Sequence, residues 1–294
     1  MIFNGSEIPL NACIRNALGI DVELHADGQF YRYPAPNKDT KNKACWVKLS
    51  EDGNSAVFGN FITNESHSWF AEYSTDDLQF TPFQSEEQLE LSLSNRETTQ
   101  NCAAEIAITT LAKAHPARPG SHYLSKKKIS PLGLKQEGVA LLIPIQNIHG
   151  QIRNIQTVYP DSSKYFLKGG EVKGNFAVCG ELYSTPKLFI CEGYATASTI
   201  YEVTGECTVA AMNAGNLLAV AQEIAAHAPS GIEIIIAADN DHKTEGNPGI
   251  TKGTEATEAI GAKIVYPEVP CSYPLCKCTD FNDWKHCWYR KQEV

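Results

Sequence analysis

The chain has 294 residues, 43% hydrophobic and 20% charged, a composition that suits two or three folded domains and excludes a disordered or fibrous protein. No apolar run approaches the roughly 20 residues that span a bilayer, and the N-terminus has neither the charged nor the apolar region of a signal peptide, so a cytoplasmic protein with no membrane partner is expected. The net charge of −9 argues against nucleic-acid binding over the whole surface, yet residues 119–186 carry 8 basic and 4 acidic side chains between acidic flanks.

Residues 1–85 read as a small β-rich module. Phe30–Tyr33 alternates like a strand, and 44–49 with 55–58 form a hairpin around Glu51-Asp-Gly-Asn54. Few helical patterns occur before Ser85. The aromatic residues Trp46, Phe61, Trp69 and Phe70 suit either a small β core or a surface on which bases stack, the core being the commoner use. A helical connector follows over 86–118, with Leu89, Leu93, Ala103, Ile106, Ala107 and Leu111 available for an apolar face, and Pro116 and Pro119-Gly120 end it.

Residues 119–186 form a basic α+β subdomain. A strand at 140–145 and a turn at 147–150 precede the alternating run 151–158, which sets Arg153 on the face opposite Ile152. The last segment, 187–294, alternates strand and helix in the order expected of a parallel sheet. Its runs Lys187-Leu-Phe-Ile-Cys and Ile234-Ile-Ile-Ala-Ala read as buried strands, each ending in acid: Glu192 after the first, Asp239 and Asp241 after the second. In an open α/β sheet ligands bind at the carboxyl edge, and carboxylates one residue apart there suit a hydrated divalent ion. Thr279-Asp280-Phe-Asn-Asp283 adds Asp280 and Asp283 after the last strand.

Glu192-Gly-Tyr-Ala-Thr-Ala197 followed by Asp239-Asn-Asp241 resembles the Toprim signature of bacterial-type primases, topoisomerases and related nucleases. With Asn213-Ala-Gly-Asn216, Thr279-Asp-Phe-Asn-Asp283 and the upstream Tyr123-Leu-Ser-Lys-Lys-Lys-Ile129, the chain is most similar to Toprim DNA primases of conjugative plasmids and phages. That resemblance implies synthesis of short RNA primers on a single-stranded DNA template from NTPs, with a separate replicative helicase as partner. It implies Glu192, Asp239 and Asp241 as catalytic residues, and the same three with Asp280 and Asp283 as ligands of Mg²⁺ or Mn²⁺. Lys126, Lys127, Lys128, Arg153, Lys164, Tyr165, Lys168, Asn213 and Asn216 are the corresponding nucleotide- or template-binding residues. Only Cys13 and Cys45 precede residue 100, too few for the zinc ribbon of replicative primases.

Two other functions stay open on the sequence: a Toprim nuclease or topoisomerase-like enzyme, and a non-catalytic nucleic-acid-binding accessory protein. Of ten cysteines, the six that are scattered singly are expected to be reduced. Cys271, Cys276, Cys278 and Cys287, with His286, crowd five soft ligands into the stretch 271–287. Their spacing is not a standard zinc pattern, so a Zn²⁺ site and a reduced cysteine-rich tail both remain.

Overall fold

The computed structural model describes residues 2–4, 8–63, 65–71, 86–268 and 276–288. The chain divides into two compact units, Met1–Glu87 and Gln88–Val294.

In the first unit, β1 (Ile2–Asn4), β2 (Phe30–Tyr33), β3 (Cys45–Leu49), β4 (Ser55–Asn60) and β5 (Glu65–Phe70) form one sheet in the order β1-β5-β4-β3-β2. Only the β1–β5 pair is parallel. The β3–β4 turn closes where Asp52 Oδ1 accepts the Asn54 N–H and Gly53 takes φ +72. Val47, Leu49, Ala56 and Phe58 alternate onto one face, where α1 (Leu10–Leu18) lays Leu10, Cys13, Ile14 and Leu18. This helix is the one described before residue 85, where the sequence shows few helical patterns. Its buried positions follow the helical period, and Gly19 ends it in the left-handed region with its N–H on the Arg15 carbonyl.

The second unit opens after the start of the long helix α2 (Glu86–Lys113). Then come β6 (His115–Pro116), α3 (His122–Lys127), β7 (Lys135–Glu137), β8 (Ala140–Gln146), β9 (Ile152–Val158) and β10 (Lys164–Phe166). These five strands form an antiparallel sheet, β10-β9-β8-β7-β6. The β8–β9 turn is set by Asn147, whose Oδ1 accepts the N–H groups of His149 and Gln151. Leu142 and Ile155 pack against Ala107 of α2 on one face. Leu141, Ile143, Ile145 and Val158 face the other way and share a core with Tyr123 and Leu124 of α3.

The third sheet has the order β11-β13-β12-β14-β15, from β11 (Ala177–Cys179), β12 (Lys187–Cys191), β13 (Cys207–Ala210), β14 (Glu233–Ala237) and β15 (Lys263–Val265). Every pair is parallel except the edge pair β11–β13. The strand at Ala177–Cys179, which the sequence groups with the basic segment, thus supplies an antiparallel edge to the parallel sheet. Helix α4 (Tyr194–Thr204) packs on one face, in the core shared with the second sheet, while α5 (Leu217–His227) and α6 (Pro248–Ile260) cover the other. A short α7 (Phe281–His286) packs against α4.

Helix α6 sits close to the strand ends because it carries glycine where it meets them. A Cβ on Gly253 would stand 2.5 Å from the Ala238 Cβ and 3.1 Å from Ile264 Cδ1. Alanine gains about 1 kcal/mol of helix propensity, but overpacking costs about 1–3 kcal/mol. Gly253→Ala is therefore expected to lower the midpoint of urea unfolding at unchanged m-value; a raised midpoint would mean that α6 can shift without loss.

Candidate functional site

Strands β12 and β14 are neighbours, yet their following connections diverge. After β12 the chain passes through α4 to β13 on one side, and after β14 through α6 to β15 on the other. Such a reversal leaves a crevice at the carboxyl ends of the two strands, where loops cannot cover the sheet edge. The pairing of Cys191 with Ala237 fixes the register, so Glu192 and Asp239 follow from adjacent strand ends into that crevice.

Glu192 stands two residues before α4, and the backbone of Ala214, in the turn Ala214–Asn216, favours its charged form. Burial, then the charge of Asp241, pushes its carboxyl above the usual range. Asp239 is pushed up to about 8, by burial first and then by Asp280, Glu192, Asp241 and Asp283. Its Oδ1 is buried and has no hydrogen-bond partner. Asp241 Oδ2 accepts the Gly249 N–H at 3.0 Å, in the first turn of α6. That approach requires glycine: a Cβ there would lie 2.4 Å from the Asp239 carbonyl oxygen.

The loop between the acids is held from within. Asn240 is buried; its N–H donates to the Thr279 carbonyl at 2.7 Å and its Nδ2 to the Pro267 carbonyl at 3.1 Å. Asn247 Nδ2 donates to Asn240 Oδ1, while its own Oδ1 accepts the Asp241 N–H. Thr279 leads into Asp280, which caps α7 by accepting the Asp283 N–H at 2.7 Å. Burial and then Asp283 raise the Asp280 carboxyl, opposed by that hydrogen bond and by Lys127. Asn282, also buried, donates to the Lys127 carbonyl and to Thr199 Oγ1, fixing α7 to α3 and α4. The expected acids Glu192, Asp239, Asp241, Asp280 and Asp283 therefore meet at one edge. Asn240, Asn247, Gly249 and Asn282 are positioning residues that the sequence reading passed over; the signals were the Asn inside Asp239-Asn-Asp241, the Asn247-Pro-Gly249 helix start and the Asn before Asp283.

Two lysines face this cluster. Lys127, at the end of α3, lies 3.1 Å from Asp283 Oδ1 and 4.0 Å from Asp280 Oδ2. Lys164 reaches solvent, but the protein crowded around it and the neighbouring Lys127 lower its pKa, against the pull of Asp280, Glu192 and Asp239. Its Nζ lies 5.5 Å from the centre of the Tyr123 ring.

The other basic and polar candidates go elsewhere. Lys126 donates to Ser162 Oγ, and Lys128 is exposed in the left-handed conformation that ends α3. Tyr165 alternates to the strand face opposite Lys164 and, with Lys168, lines a separate groove beside Val139 and Tyr159. Arg153 is paired with Glu171 at 3.0 Å and donates to Asn101. Asn216 is buried: its Nδ2 donates to the Val172, Asn175 and Ala211 carbonyls and its Oδ1 accepts the Gly174 N–H, which makes it a brace of the backbone. Asn213 is half-buried just after Met212, whose φ of +72 turns the chain out of β13. The aromatic residues of the first unit divide. Trp69 belongs to the core and donates its indole N–H to the Ile8 carbonyl, and Phe70 is half-buried, whereas Trp46 stacks on exposed Phe30 at 5.1 Å beside exposed Phe61.

The carboxylates suit a hydrated divalent cation. An orphaned buried oxygen on Asp239, and acids raised by burial and by their neighbours, mark a cluster that a bound cation would allow to ionise. Among the described residues no three carboxylates draw their oxygens within 4.8 Å of one another. The group that does converge to this degree is Cys276, Cys278 and Cys287; Cys271 lies outside the described residues.

The Toprim domain family matches residues 187–287. Two curated relatives, both DNA primase TraC from Escherichia coli, are 41% identical over 139 residues (45% of this chain, 13% of the relative) and 32% identical over 232 residues (74% and 16%). The chain thus spans less than a fifth of the length of either relative. A primase structure from Aquifex aeolicus, with zinc-binding and RNA polymerase domains, overlaps 92% of this chain and 79% of its own at a TM-score of 0.46 and 14% identity, a likeness too weak to carry function.

Without a cation the raised Asp239 makes stability depend on pH. The folded state holds the proton up to about 8 while an ordinary aspartate releases it near 4, so stability is greatest below that window and falls as pH rises through it. Titration shared among the acids limits the loss to on the order of 3 kcal/mol. In EDTA, wild type should lose more urea stability from pH 5 to 8 than Asp239→Asn, in which the raised Glu192 and Asp280 remain; equal slopes in the two proteins would refute a protonated Asp239.

Proposed function

We propose that this chain, which carries a Toprim domain at residues 187–287 and is related to plasmid DNA primases, is a primase core that joins NTPs into short RNA primers on single-stranded DNA. The observation that carries the reading is the crevice between β12 and β14, where Asp239 presents a buried, unsatisfied oxygen among four other acids with Lys127 and Lys164 opposite. A bound Mg²⁺ or Mn²⁺, held by Glu192, Asp239 and Asp241 with Asp280 and Asp283 beside them, would supply charge neutralisation at the triphosphate and a more acidic attacking hydroxyl.

The chain's own groups do the positioning. Lys164, held below its usual pKa by crowding, gains a counter-charge when a triphosphate arrives, which favours phosphate binding over a vacant site. Lys127 exchanges its present carboxylate partners for phosphate, so nucleotide entry and release of Asp283 are coupled. The backbone of Ala214 favours the charged form of Glu192 against its burial. The basic excess of residues 119–186 supplies the surface along which template phosphates run.

In the first unit, Phe30, Trp46 and Phe61 form an outward aromatic group, with the Arg32 guanidinium 4.8 Å from the centre of the Phe61 ring. Aromatic faces beside a cation stack nucleobases without regard to sequence, so this face is assigned to the template strand. A separate helicase belongs to the same reading, since a priming enzyme needs strands already parted.

The deciding experiment supplies the protein with single-stranded DNA, Mg²⁺ or Mn²⁺ and labelled NTPs and resolves products on a gel. Short RNA products are expected, reduced at least about 100-fold in Asp239→Ala. Lys164→Ala should raise the NTP KM about 10-fold or more, as loss of a charged hydrogen bond does. No product from wild type, or undiminished product from Asp239→Ala, refutes the primase; DNA shortening without NTPs would instead identify a nuclease. Independently, Phe30→Ala and Trp46→Ala should each weaken binding of an oligo-dT strand by about 5- to 100-fold in fluorescence anisotropy. Unchanged affinity would remove the template from this face.

A further inference from the structure

The loop that carries Asp280 is bracketed by thiols that the carboxylate chemistry does not use. The Sγ atoms of Cys276, Cys278 and Cys287 all lie within 4.8 Å of one another, with Cys276 and Cys287 at 3.9 Å. A tetrahedral zinc ion with Zn–S bonds of about 2.3 Å holds its sulfurs about 3.8 Å apart. The thiols therefore stand near the separation that one ion requires. Cys276 and Cys287 are buried and Cys278 is half-buried, so the cluster is shielded without being sealed.

One backbone donor and several cations stand around the thiols, although burial and the neighbouring thiols push the Cys278 thiol up. The Cys278 N–H points to Cys276 Sγ at 3.5 Å, a donor that stabilises thiolate charge. A cavity of about 400 Å³ opens beside the cluster, and its wall includes Lys126, Lys127, Lys128 and Lys277. These cations would balance the net negative charge of a zinc ion held by three thiolates. Lys243, from the loop after Asp241, donates to the Cys276 carbonyl, so the thiol cluster is tied to the second acid-bearing loop as well.

We propose that Cys276, Cys278 and Cys287 bind one thiophilic divalent ion, Zn²⁺ by the chemistry of the donors, and that this ion clasps the two ends of the Asp280–Asp283 turn. Cys278 stands two residues before Asp280, and Cys287 follows directly on α7, so a shared ion closes the motif on itself. The fourth tetrahedral position falls to water or to a donor from the cavity wall, which His286 also lines. Zinc binding by the thiols stands apart from what the carboxylates catalyse; the consequence for Asp280 rests on the metal-site reading above.

The full chain, purified under reducing conditions without chelator, is expected to contain about one zinc per chain by elemental analysis. Replacement by Co²⁺ should give a thiolate-to-cobalt charge-transfer band with the strong visible bands of a tetrahedral site. Cys278→Ser and Cys287→Ser should each lose the zinc and the bands, while Asp280→Asn keeps both, so that failure of the carboxylate chemistry is told apart from failure of the thiol site. Zinc removal should also weaken the Mg²⁺-induced rise in thermal midpoint. Wild type without zinc and without a cobalt thiolate band overturns the proposal whether or not the variants fold. Zinc retained in the Cys276→Ser/Cys278→Ser/Cys287→Ser triple variant, or a Cys276–Cys287 disulfide found by peptide mapping, also overturns it.

Discussion

The arrangement of the second unit depends on like charges brought together out of water. Parallel pairing of β12 with β14 aligns Cys191 with Ala237, and that register delivers Glu192 and Asp239 to one edge of a sheet buried on both faces. Burial and mutual repulsion both favour the protonated forms, and Asp239 is furthest displaced, to about 8. A fold that keeps such a cluster must hold it by covalent geometry and hydrogen bonds at the rim, because the carboxylates themselves repel. The rim does this with neutral amides: Asn240, Asn247 and Asn282 together bind backbone on either side of the acids and bring no charge of their own.

The cations come from a different sheet. Lys127 ends α3 and Lys164 starts β10, both outside the parallel sheet, yet the core shared by the second sheet and α4 fixes these elements against the acid edge. Charge balance in the crevice is thus a property of the interface between two layers. That division also explains why residues 119–186 are basic while both flanks are acidic: the segment supplies the counter-charge for a neighbouring layer as well as the surface that a polyanion would follow. Of its charges, Arg153 is paired internally with Glu171.

What the sequence disclosed follows from which interactions are local. The parallel strands were legible as short apolar runs, and the acids as their terminal residues, because strand, turn and helix signals lie within a few positions of one another. The strands at 30–33, 44–49 and 55–58 were legible for the same reason, the first by alternation and the other two by the turn between them, and they run over Phe30–Tyr33, Cys45–Leu49 and Ser55–Asn60. Helix α1 was not, since its apolar positions Leu10, Cys13, Ile14 and Leu18 occupy only nine residues and no side chain caps its start. The roles of Asn216 and Arg153 were hidden for another reason. Their partners Val172, Gly174 and Glu171 are distant in sequence or polar themselves, and a motif records that a residue is present without recording which way it faces. Trp46 and Trp69 illustrate the same limit: one composition signal, two opposite faces of one sheet.

Among the acids, Asp280 is the one least secured by the sheet. Glu192, Asp239 and Asp241 follow directly from strands whose register the ladder enforces, whereas Asp280 follows a segment that meets the site through single bonds: Asn240 N–H to Thr279, Lys243 to Cys276, and Asn282 to Thr199 and the Lys127 carbonyl. Each such bond contributes about 1 kcal/mol net, more where charged, so the position of Asp280 rests on several modest terms acting together. Removing one lets the turn open at little cost, because α7 has six residues and no fully buried apolar side chain of its own. The segment therefore gains most from any additional constraint at its ends, and the thiols of Cys276, Cys278 and Cys287 lie at those ends. An acid beside a cation site would need to be held against repulsion from its neighbours, and a constraint at the loop's own termini would add to the bonds made by Asn240, Lys243 and Asn282.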